Sequence, residues 1–105
     1  MATPRHITIG TCTVGNDLPL TLIAGPCVIE SRGHALEMAS ALAELSRKLK
    51  IGVIYKSSFD KANRTSIKSN RGVGIGEGLS ILAEVREKTG LPVLTDVHLP
   101  DHCAH

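Results

Sequence analysis

Three short apolar runs alternate with two helical segments along this chain of 105 residues. The runs cover residues 20–24, 53–55 and 91–95. Runs that are apolar at consecutive positions suit strands buried on both faces, and such strands separated by amphipathic helices are typical of a parallel sheet in an α/β protein. A small hairpin, with strands at 6–9 and 11–14, is predicted to precede this β-α-β-α-β order.

The two helices between the strands have recognisable ends. Ser31 is expected to cap the first helix, which should stop at Gly52. Its apolar stripe, expected to face the core, consists of Met38, Leu42, Leu45 and Leu49. The second helix should follow the glycine-rich stretch 72–78 and run to Thr89, where Gly90 is placed to adopt a left-handed C-terminal cap.

Composition excludes several classes of function. A net charge of +2 and an aromatic content of 2% argue against a nucleic-acid partner. No segment has the roughly 18–20 apolar residues of a membrane span, and the first residues lack the apolar stretch of a signal peptide, so a cytoplasmic protein is expected. The three cysteines show no C-x-x-C spacing, which disfavours a disulfide framework.

The glycine-rich stretch 72–78 does not have the G-x-G-x-x-G spacing of a dinucleotide-binding loop, because Glu77 occupies the position of the third glycine.

Polar side chains follow each predicted strand directly. Cys27 follows the first strand, residues 56–66 the second, and Asp96 with His98 the third. Functional groups at successive strand ends are typical of a (β/α)-barrel, although a doubly wound sheet shares this tendency. A full barrel needs about 250 residues and eight strands. The chain is therefore predicted to be one incomplete domain over residues 1–105, containing the hairpin, first three strands and two helices of a truncated TIM barrel.

The segment 56–66 has the composition of an anion-binding loop. It reads Lys-Ser-Ser-Phe-Asp-Lys-Ala-Asn-Arg-Thr-Ser, which combines cations with hydroxyl and amide groups directly after a buried strand. Cations supply charge, and hydroxyl and backbone N–H groups supply directed hydrogen bonds to a phosphorylated substrate. Phe59 is expected to anchor the loop. The competing interpretation is an ordinary solvated basic loop.

Other polar residues keep two interpretations on local grounds. Cys27 is either a small apolar residue or a metal or catalytic thiol. Asp96 and His98 are either turn and surface residues or a hydrogen-bond acceptor and a polar wall of a pocket. The tail carries four potential metal ligands: His98, His102, Cys103 and His105. Pro100 interrupts the helix that would align them, so opportunistic metal binding by the tail is favoured over a real site.

Three motifs together resemble one enzyme family. They are Ala-Gly-Pro-Cys with Ile-Glu-Ser at 24–31, the eleven-residue loop at 56–66, and Thr-Asp-Val-His at 95–98. They are similar to those of the 3-deoxy-D-manno-octulosonate 8-phosphate synthases, also called 2-dehydro-3-deoxyphosphooctonate aldolases. The resemblance implies a (β/α)₈ barrel closed by an N-terminal hairpin and a homotetramer. It also implies condensation of phosphoenolpyruvate with D-arabinose 5-phosphate, releasing phosphate, in lipopolysaccharide biosynthesis.

The resemblance also implies roles for individual residues. The catalytic residues would be Lys56, Lys61 and Asp96. The substrate-binding residues would be Ser58, Asn63, Arg64, Thr65, Ser66 and His98. Within these sets, Ser58 and the two lysines would contact phosphoenolpyruvate. The segment from Asn63 to Ser66 would bind the sugar phosphate, reaching it from a neighbouring subunit.

Cys27 takes a sharper role from the same resemblance. Metal-dependent members carry Cys at this position and metal-independent members carry Asn, so a divalent zinc, iron or manganese ion is expected. The remaining ligands of the family come from later strands, which the 105 residues do not include. The alternative to an active synthase is a non-catalytic fragment that at most binds phosphorylated ligands or a partner chain.

Overall fold

The computed structural model describes residues 3–60 and 72–105. In chain order, the elements within these ranges are β1 (Ile7–Ile9), β2 (Cys12–Val14), β3 (Thr21–Ala24), α1 (Arg32–Leu49), β4 (Gly52–Lys56), α2 (Ile75–Thr89), β5 (Val93–Leu94) and a short 3₁₀ helix (Pro100–Ala104). Strands β1 and β2 form an antiparallel hairpin, and β3-β4-β5 form a parallel sheet in that order. The predicted α/β class and element order are confirmed.

Helix α1 begins as predicted and ends earlier than predicted. The Ser31 hydroxyl accepts a hydrogen bond from the His34 N–H at 3.1 Å, which satisfies one of the free donors of the first turn. At the other end Lys50 adopts a left-handed conformation, with φ of 55°, and its N–H donates to the carbonyl of Ser46. The prediction that Gly52 stops the helix is wrong, because Lys50 already provides the cap and Gly52 is the first residue of β4.

The buried face of α1 is made of alanines. Ala35, Ala39 and Ala43 are buried at i, i+4, i+8 spacing. Most of the predicted leucine and methionine stripe is wrong: Met38, Leu45 and Leu49 are 37%, 48% and 59% exposed, and only Leu42 packs against the core. The face of α1 that packs on the core is therefore made of short side chains, while larger apolar residues of the helix lie at the surface.

Helix α2 packs on the same core as α1. Its buried residues Ile81, Leu82 and Val85 join Val53 and Tyr55 of β4 in one apolar cluster. Val53 and Tyr55 are two positions apart in the strand and therefore share a face of the sheet, which is the face that both helices cover. Gly90 ends α2 with φ of 75°, as predicted.

The hairpin lies at one end of the parallel sheet. Cys12 is buried, with its thiol 3.6 Å from the carbonyl of Val53, and the Thr11 hydroxyl is 3.5 Å from the carbonyl of Gly90. Both contacts fall near the amino ends of β4 and β5, so the hairpin covers that end. Cys12 is therefore a packing residue of the hairpin. Within the described ranges, no helix has the length and apolar character needed to cross a bilayer.

Candidate functional site

The carboxyl ends of β3, β4 and β5 meet at the end of the sheet opposite the hairpin. Ala24 pairs with Tyr55, and Tyr55 pairs with Val93, so the three strands finish close to one level. The segments that leave the strands start at Gly25, Ser57 and Thr95. The predicted site residues of the described ranges lie in or beside these segments, because parallel strands bring their carboxyl ends to one edge.

A bulge follows β3 and turns Cys27 outward. From Ala24 to Val28 the chain advances four residues, while the neighbouring chain advances three residues from Tyr55 to Ser58 before the two pair again. One strand therefore contains an extra residue, as in a β-bulge, a feature often found beside active sites. Within this bulge the Cys27 side chain is exposed. The local interpretation of Cys27 as a small buried residue is thus wrong.

Gly25 allows the bulge to lie directly on β4. A Cβ atom at this position would stand 2.0 Å from the carbonyl oxygen of Lys56 and 2.9 Å from its carbonyl carbon. Both atoms belong to the backbone and cannot rotate away. The close approach brings the main chain of the Gly-Pro-Cys motif against the last residue of β4.

Two adjacent serines connect the strand ends through hydrogen bonds. Ser57 is fully buried and its hydroxyl donates to the carbonyl of Pro26 at 2.6 Å. The N–H of Ser58 donates to the carbonyl of Cys27 at 3.1 Å. The Ser58 hydroxyl donates to the carbonyl of Asp60 at 2.7 Å and accepts from the Asp60 N–H at 3.2 Å. Ser58 thus folds the start of the loop back on itself, and its contact with substrate stays a prediction.

Phe59 anchors the loop, as predicted. Its side chain is 3% exposed, and a Cβ on Gly78 of α2 would stand 2.5 Å from the Phe59 Cβ. The rings of His98 and His102 lie 5.6 and 5.1 Å from the phenyl ring, measured between centroids. A cavity of about 350 Å³ opens beside this cluster. Phe59, at the start of the loop after β4, is therefore held between α2 and the segment that follows β5.

The two histidines of this cluster have defined hydrogen-bonding roles. The Nε2 of His98 lies 2.6 Å from the carbonyl of Asp60, and because a carbonyl only accepts, this nitrogen carries the proton. The Nδ1 of His102 accepts from the N–H groups of His98 and Leu99 at 3.2 and 3.3 Å, so this nitrogen is unprotonated. His98 therefore ties the third strand end to the loop, and His102 caps the 3₁₀ helix.

The structure brings part of the predicted site together. Lys56 is the half-buried last residue of β4, and Asp96 is exposed after β5, with its Oδ2 atom 3.9 Å from Nε2 of His98. The predicted residues Lys61, Asn63, Arg64, Thr65 and Ser66 lie outside the described residues. The sugar-phosphate half of the loop therefore stays a prediction.

Metal-binding residues do not cluster in residues 3–60 and 72–105. These ranges contain no group of three or more His, Cys, Asp and Glu side chains able to hold an ion. Within these ranges the tail residues His98, His102, Cys103 and His105 form no such group. Cys27 offers one exposed thiol at the strand ends.

Sequence reasoning missed Ser57, Thr95 and Gly25, which position the site. The signals were present, since Gly25 follows a strand and precedes a proline, and Ser57 directly follows β4.

A buried phenol lies two residues before Ser57. Burial raises the pKa of Tyr55, and a side-chain interaction with Ser57 offsets part of that rise, so this side chain is neutral near pH 7.

Comparison with known proteins places the chain in a family. Residues 4–105 match the DAHP synthetase I family. The 2-dehydro-3-deoxyphosphooctonate aldolase of Bradyrhizobium sp. (strain BTAi1) is 59% identical over 98 residues, which are 93% of this chain and 34% of that protein. The protein of the same name from Rhodopseudomonas palustris (strain TIE-1) is 56% identical over 104 residues, 99% of this chain and 36% of that protein.

A third similar protein carries the same name. The 2-dehydro-3-deoxyphosphooctonate aldolase of Nitrobacter winogradskyi is 51% identical over 98 residues, 93% of this chain and 34% of that protein. The chain thus spans about a third of the length of the curated relatives it matches. These similarities extend over nearly the whole chain. The chain belongs to the DAHP synthetase I family.

Proposed function

We propose that the chain supplies the phosphoenolpyruvate-binding part of a synthase that condenses phosphoenolpyruvate with D-arabinose 5-phosphate and water. The products are 3-deoxy-D-manno-octulosonate 8-phosphate and inorganic phosphate, and the reaction serves lipopolysaccharide biosynthesis. The observation that carries the proposal is the convergence of Lys56, Cys27 and Asp96 on the carboxyl edge of one parallel sheet. Relatives named for this product share more than half of their matched residues with the chain.

The residues at this edge suit the chemistry of two anionic substrates. The methylene carbon of phosphoenolpyruvate forms a bond to the sugar aldehyde carbon, water adds to the neighbouring carbon, and the C–O bond to phosphate breaks. The two substrates repel each other, so fixed cations are needed to hold them side by side. We assign Lys56 and Lys61 to the carboxylate and phosphate of phosphoenolpyruvate. Asp96 accepts a hydrogen bond from a sugar hydroxyl near the reacting end.

The remaining predicted contacts belong to the same proposal. Asn63 would bind the sugar, and Arg64, Thr65 and Ser66 would hold its phosphate in a neighbouring subunit of a homotetramer. Ser58 and His98 would complete the wall between the two substrates. The Ser58 hydroxyl and the His98 ring both bind the backbone of Asp60, a residue of the predicted anion loop, and this shared contact supports the proposal.

We also propose that the fold is the N-terminal part of a (β/α)₈ barrel, forming one incomplete domain over residues 1–105. The parallel order β3-β4-β5, the two helices on one face of the sheet, and the hairpin at the amino ends of the strands all support this assignment. The relatives are about three times as long as the matched region, which leaves room for the other strands. A cytoplasmic location stays a prediction.

A divalent ion fits the described residues only in part. Cys27 is exposed at the strand ends, and a thiolate is a suitable ligand for zinc or iron. A protein site needs about three or more such ligands, and the described ranges hold no group of that size. A complete site would take its other ligands from polypeptide outside these ranges. The roles above are therefore assigned to side chains of this chain alone.

Phosphate release from the two substrates tests the proposal. The purified chain is assayed with and without added zinc, iron or manganese. A chimaera in which residues 1–99 replace the matching third of the Bradyrhizobium relative is assayed beside it. We expect the chimaera to turn over and Lys56→Met to reduce kcat/KM by at least about a hundredfold. Lys48→Met, on the solvent side of α1, is the matched control and should leave the rate unchanged.

The outcomes of this assay separate the proposal from its alternative. An inactive 105-residue chain with an active chimaera would mean that the chain is a competent part of the synthase and needs further polypeptide. A folded chimaera without phosphate release, together with no binding of phosphoenolpyruvate to either protein, would refute the proposed function. It would leave the chain as a non-catalytic fragment.

A further inference from the structure

We propose that Ser57 is a positioning residue that joins all three strand ends and thereby sets the places of Lys56 and Ser58 for phosphoenolpyruvate. The part of this inference that concerns phosphoenolpyruvate rests on the proposed function. The joining of the strand ends rests on hydrogen bonds alone. Neither the motif resemblance nor the comparisons assign a role to this serine.

Ser57 makes hydrogen bonds to both neighbouring strands. Its hydroxyl donates to the carbonyl of Pro26 at 2.6 Å, on the β3 side. Its N–H donates to the carbonyl of Leu94 at 3.3 Å, and its own carbonyl accepts from the Thr95 hydroxyl at 2.9 Å, both on the β5 side. The side chain and backbone of one fully buried residue therefore link three segments.

On the β3 side, the backbone ladder does not provide the link by itself. Regular pairing between β3 and β4 stops at Ala24 and Tyr55 and returns only at the bridge between Val28 and Ser58. Pro26 lies in this gap and has no N–H, so it can take part only as an acceptor. The Pro26 carbonyl accepts its hydrogen bond from the Ser57 hydroxyl. The side chain thus closes the gap that the bulge opens.

The residues on either side of Ser57 are two of the three predicted to contact phosphoenolpyruvate. The Lys56 carbonyl lies directly against Gly25, and the Ser58 N–H donates to the carbonyl of Cys27. A release of Pro26 would let the Gly-Pro-Cys segment move relative to both. Displacements of about 1 Å in a reacting site reduce rates strongly, because reactive groups need close alignment.

Two serine variants distinguish this role from an ordinary buried hydrogen bond. Ser57→Ala removes the bond to Pro26. Ser46→Ala removes a bond of the same kind and length, from a partly buried hydroxyl to the carbonyl of Ile51 at 2.6 Å, at the opposite end of α1. The control variant therefore loses the same kind of hydrogen bond, but at a position away from the strand ends. Both variants are made in the full 105-residue chain.

Amide hydrogen exchange is the first measurement. In Ser57→Ala, the amides of Ser58 and Ile29, which bridge the two strand ends, should exchange about fivefold faster than in the wild type. In Ser46→Ala these two amides should keep their rates, while the Ile51 amide exchanges faster. Unchanged rates at Ser58 and Ile29 in Ser57→Ala, or an equal increase in both variants, would overturn the proposal.

Phosphoenolpyruvate binding by titration calorimetry is the second measurement. We expect Ser57→Ala to weaken binding at least about fivefold, with Ser46→Ala unchanged. Thr95→Val should also weaken binding, and the double variant should lose less than the product of the two single effects, because both hydroxyls hold the same peptide. Faster exchange with unchanged affinity would overturn the positioning role. If the chain alone binds no phosphoenolpyruvate, the same variants are titrated in the chimaera. If the chimaera also binds none and releases no phosphate, the proposed function fails, while the exchange rates still decide whether Ser57 joins the strand ends.

Discussion

Replacement of Gly25 by alanine should be among the most damaging single-methyl additions in this protein. The new Cβ would lie 2.0 Å from the carbonyl oxygen of Lys56, whereas real Cβ contacts start near 3.0 Å. The bulge would therefore have to move about 1 Å away from β4. The same movement would stretch the 2.6 Å bond between Ser57 and Pro26 beyond hydrogen-bonding distance. Overpacking costs about 1–3 kcal/mol, and a buried group left without its partner costs a similar amount, so we expect a loss of about 3 kcal/mol.

Urea unfolding followed by far-UV circular dichroism measures this loss. The matched control is Gly33→Ala in the first turn of α1, where a Cβ would meet no atom within 4 Å. It should be neutral or stabilise the protein by up to about 1 kcal/mol, because alanine favours helix more than glycine does. Both glycines are exposed, so exposure alone would predict two neutral substitutions. A Gly25→Ala free energy of unfolding within about 0.5 kcal/mol of the wild type would refute the reasoning.

Two further predictions concern charge and thiol access. Hydrogen bonds from Lys88 and from Arg32 of α1 hold the pKa of Glu84 below its usual value. This stabilisation is present above the unfolded pKa of 4.5 and is lost as the pH falls through the lowered value. Glu84→Gln should therefore destabilise the protein at pH 7 and match the wild type in strong acid. The control is Glu44→Gln, at an exposed carboxylate, which should leave the stability unchanged at both pH values. A difference in unfolding free energy between Glu84→Gln and the wild type that does not vary with pH would contradict the assignment. With Ellman's reagent, Cys27 should react in the native protein, whereas buried Cys12 should react at least about a hundredfold more slowly. Fast reaction of Cys12 would mean that the hairpin does not cover it.

The element order could be read from the sequence because it depends on local patterns. Consecutive apolar residues, a serine before the first helix and a glycine after the second each act over a few positions. The buried face of α1 could not be read in the same way. Hydrophobicity favours leucine over alanine for burial, but the packing of the helix against the sheet and α2 decides which of its faces is buried. That packing is a tertiary property, and here the buried residues are Ala35, Ala39 and Ala43.

The candidate site shows the same division between local and tertiary information. Strand ends followed by polar residues predicted where Lys56, Cys27 and Asp96 would lie, since parallel strands finish at one edge. The roles of Ser57 and Thr95 depend on which carbonyl lies opposite each hydroxyl, and the bulge changes that register by one residue. A register shift of this kind has no signature in a single sequence beyond the Gly-Pro pair that accompanies it.

The arrangement separates residues that shape the site from residues that would bind substrate. Gly25 admits the close approach, Pro26 supplies a carbonyl without an N–H, and Ser57 supplies the missing donor. None of the three carries charge, yet together they determine the positions of Lys56 and Cys27. Substitution of Lys56 should therefore alter affinity for anions and leave strand-end exchange rates unchanged, because within residues 3–60 and 72–105 its ammonium takes part in no ion pair. Substitution of Ser57 should alter both, and this difference in pattern distinguishes a binding residue from a positioning residue.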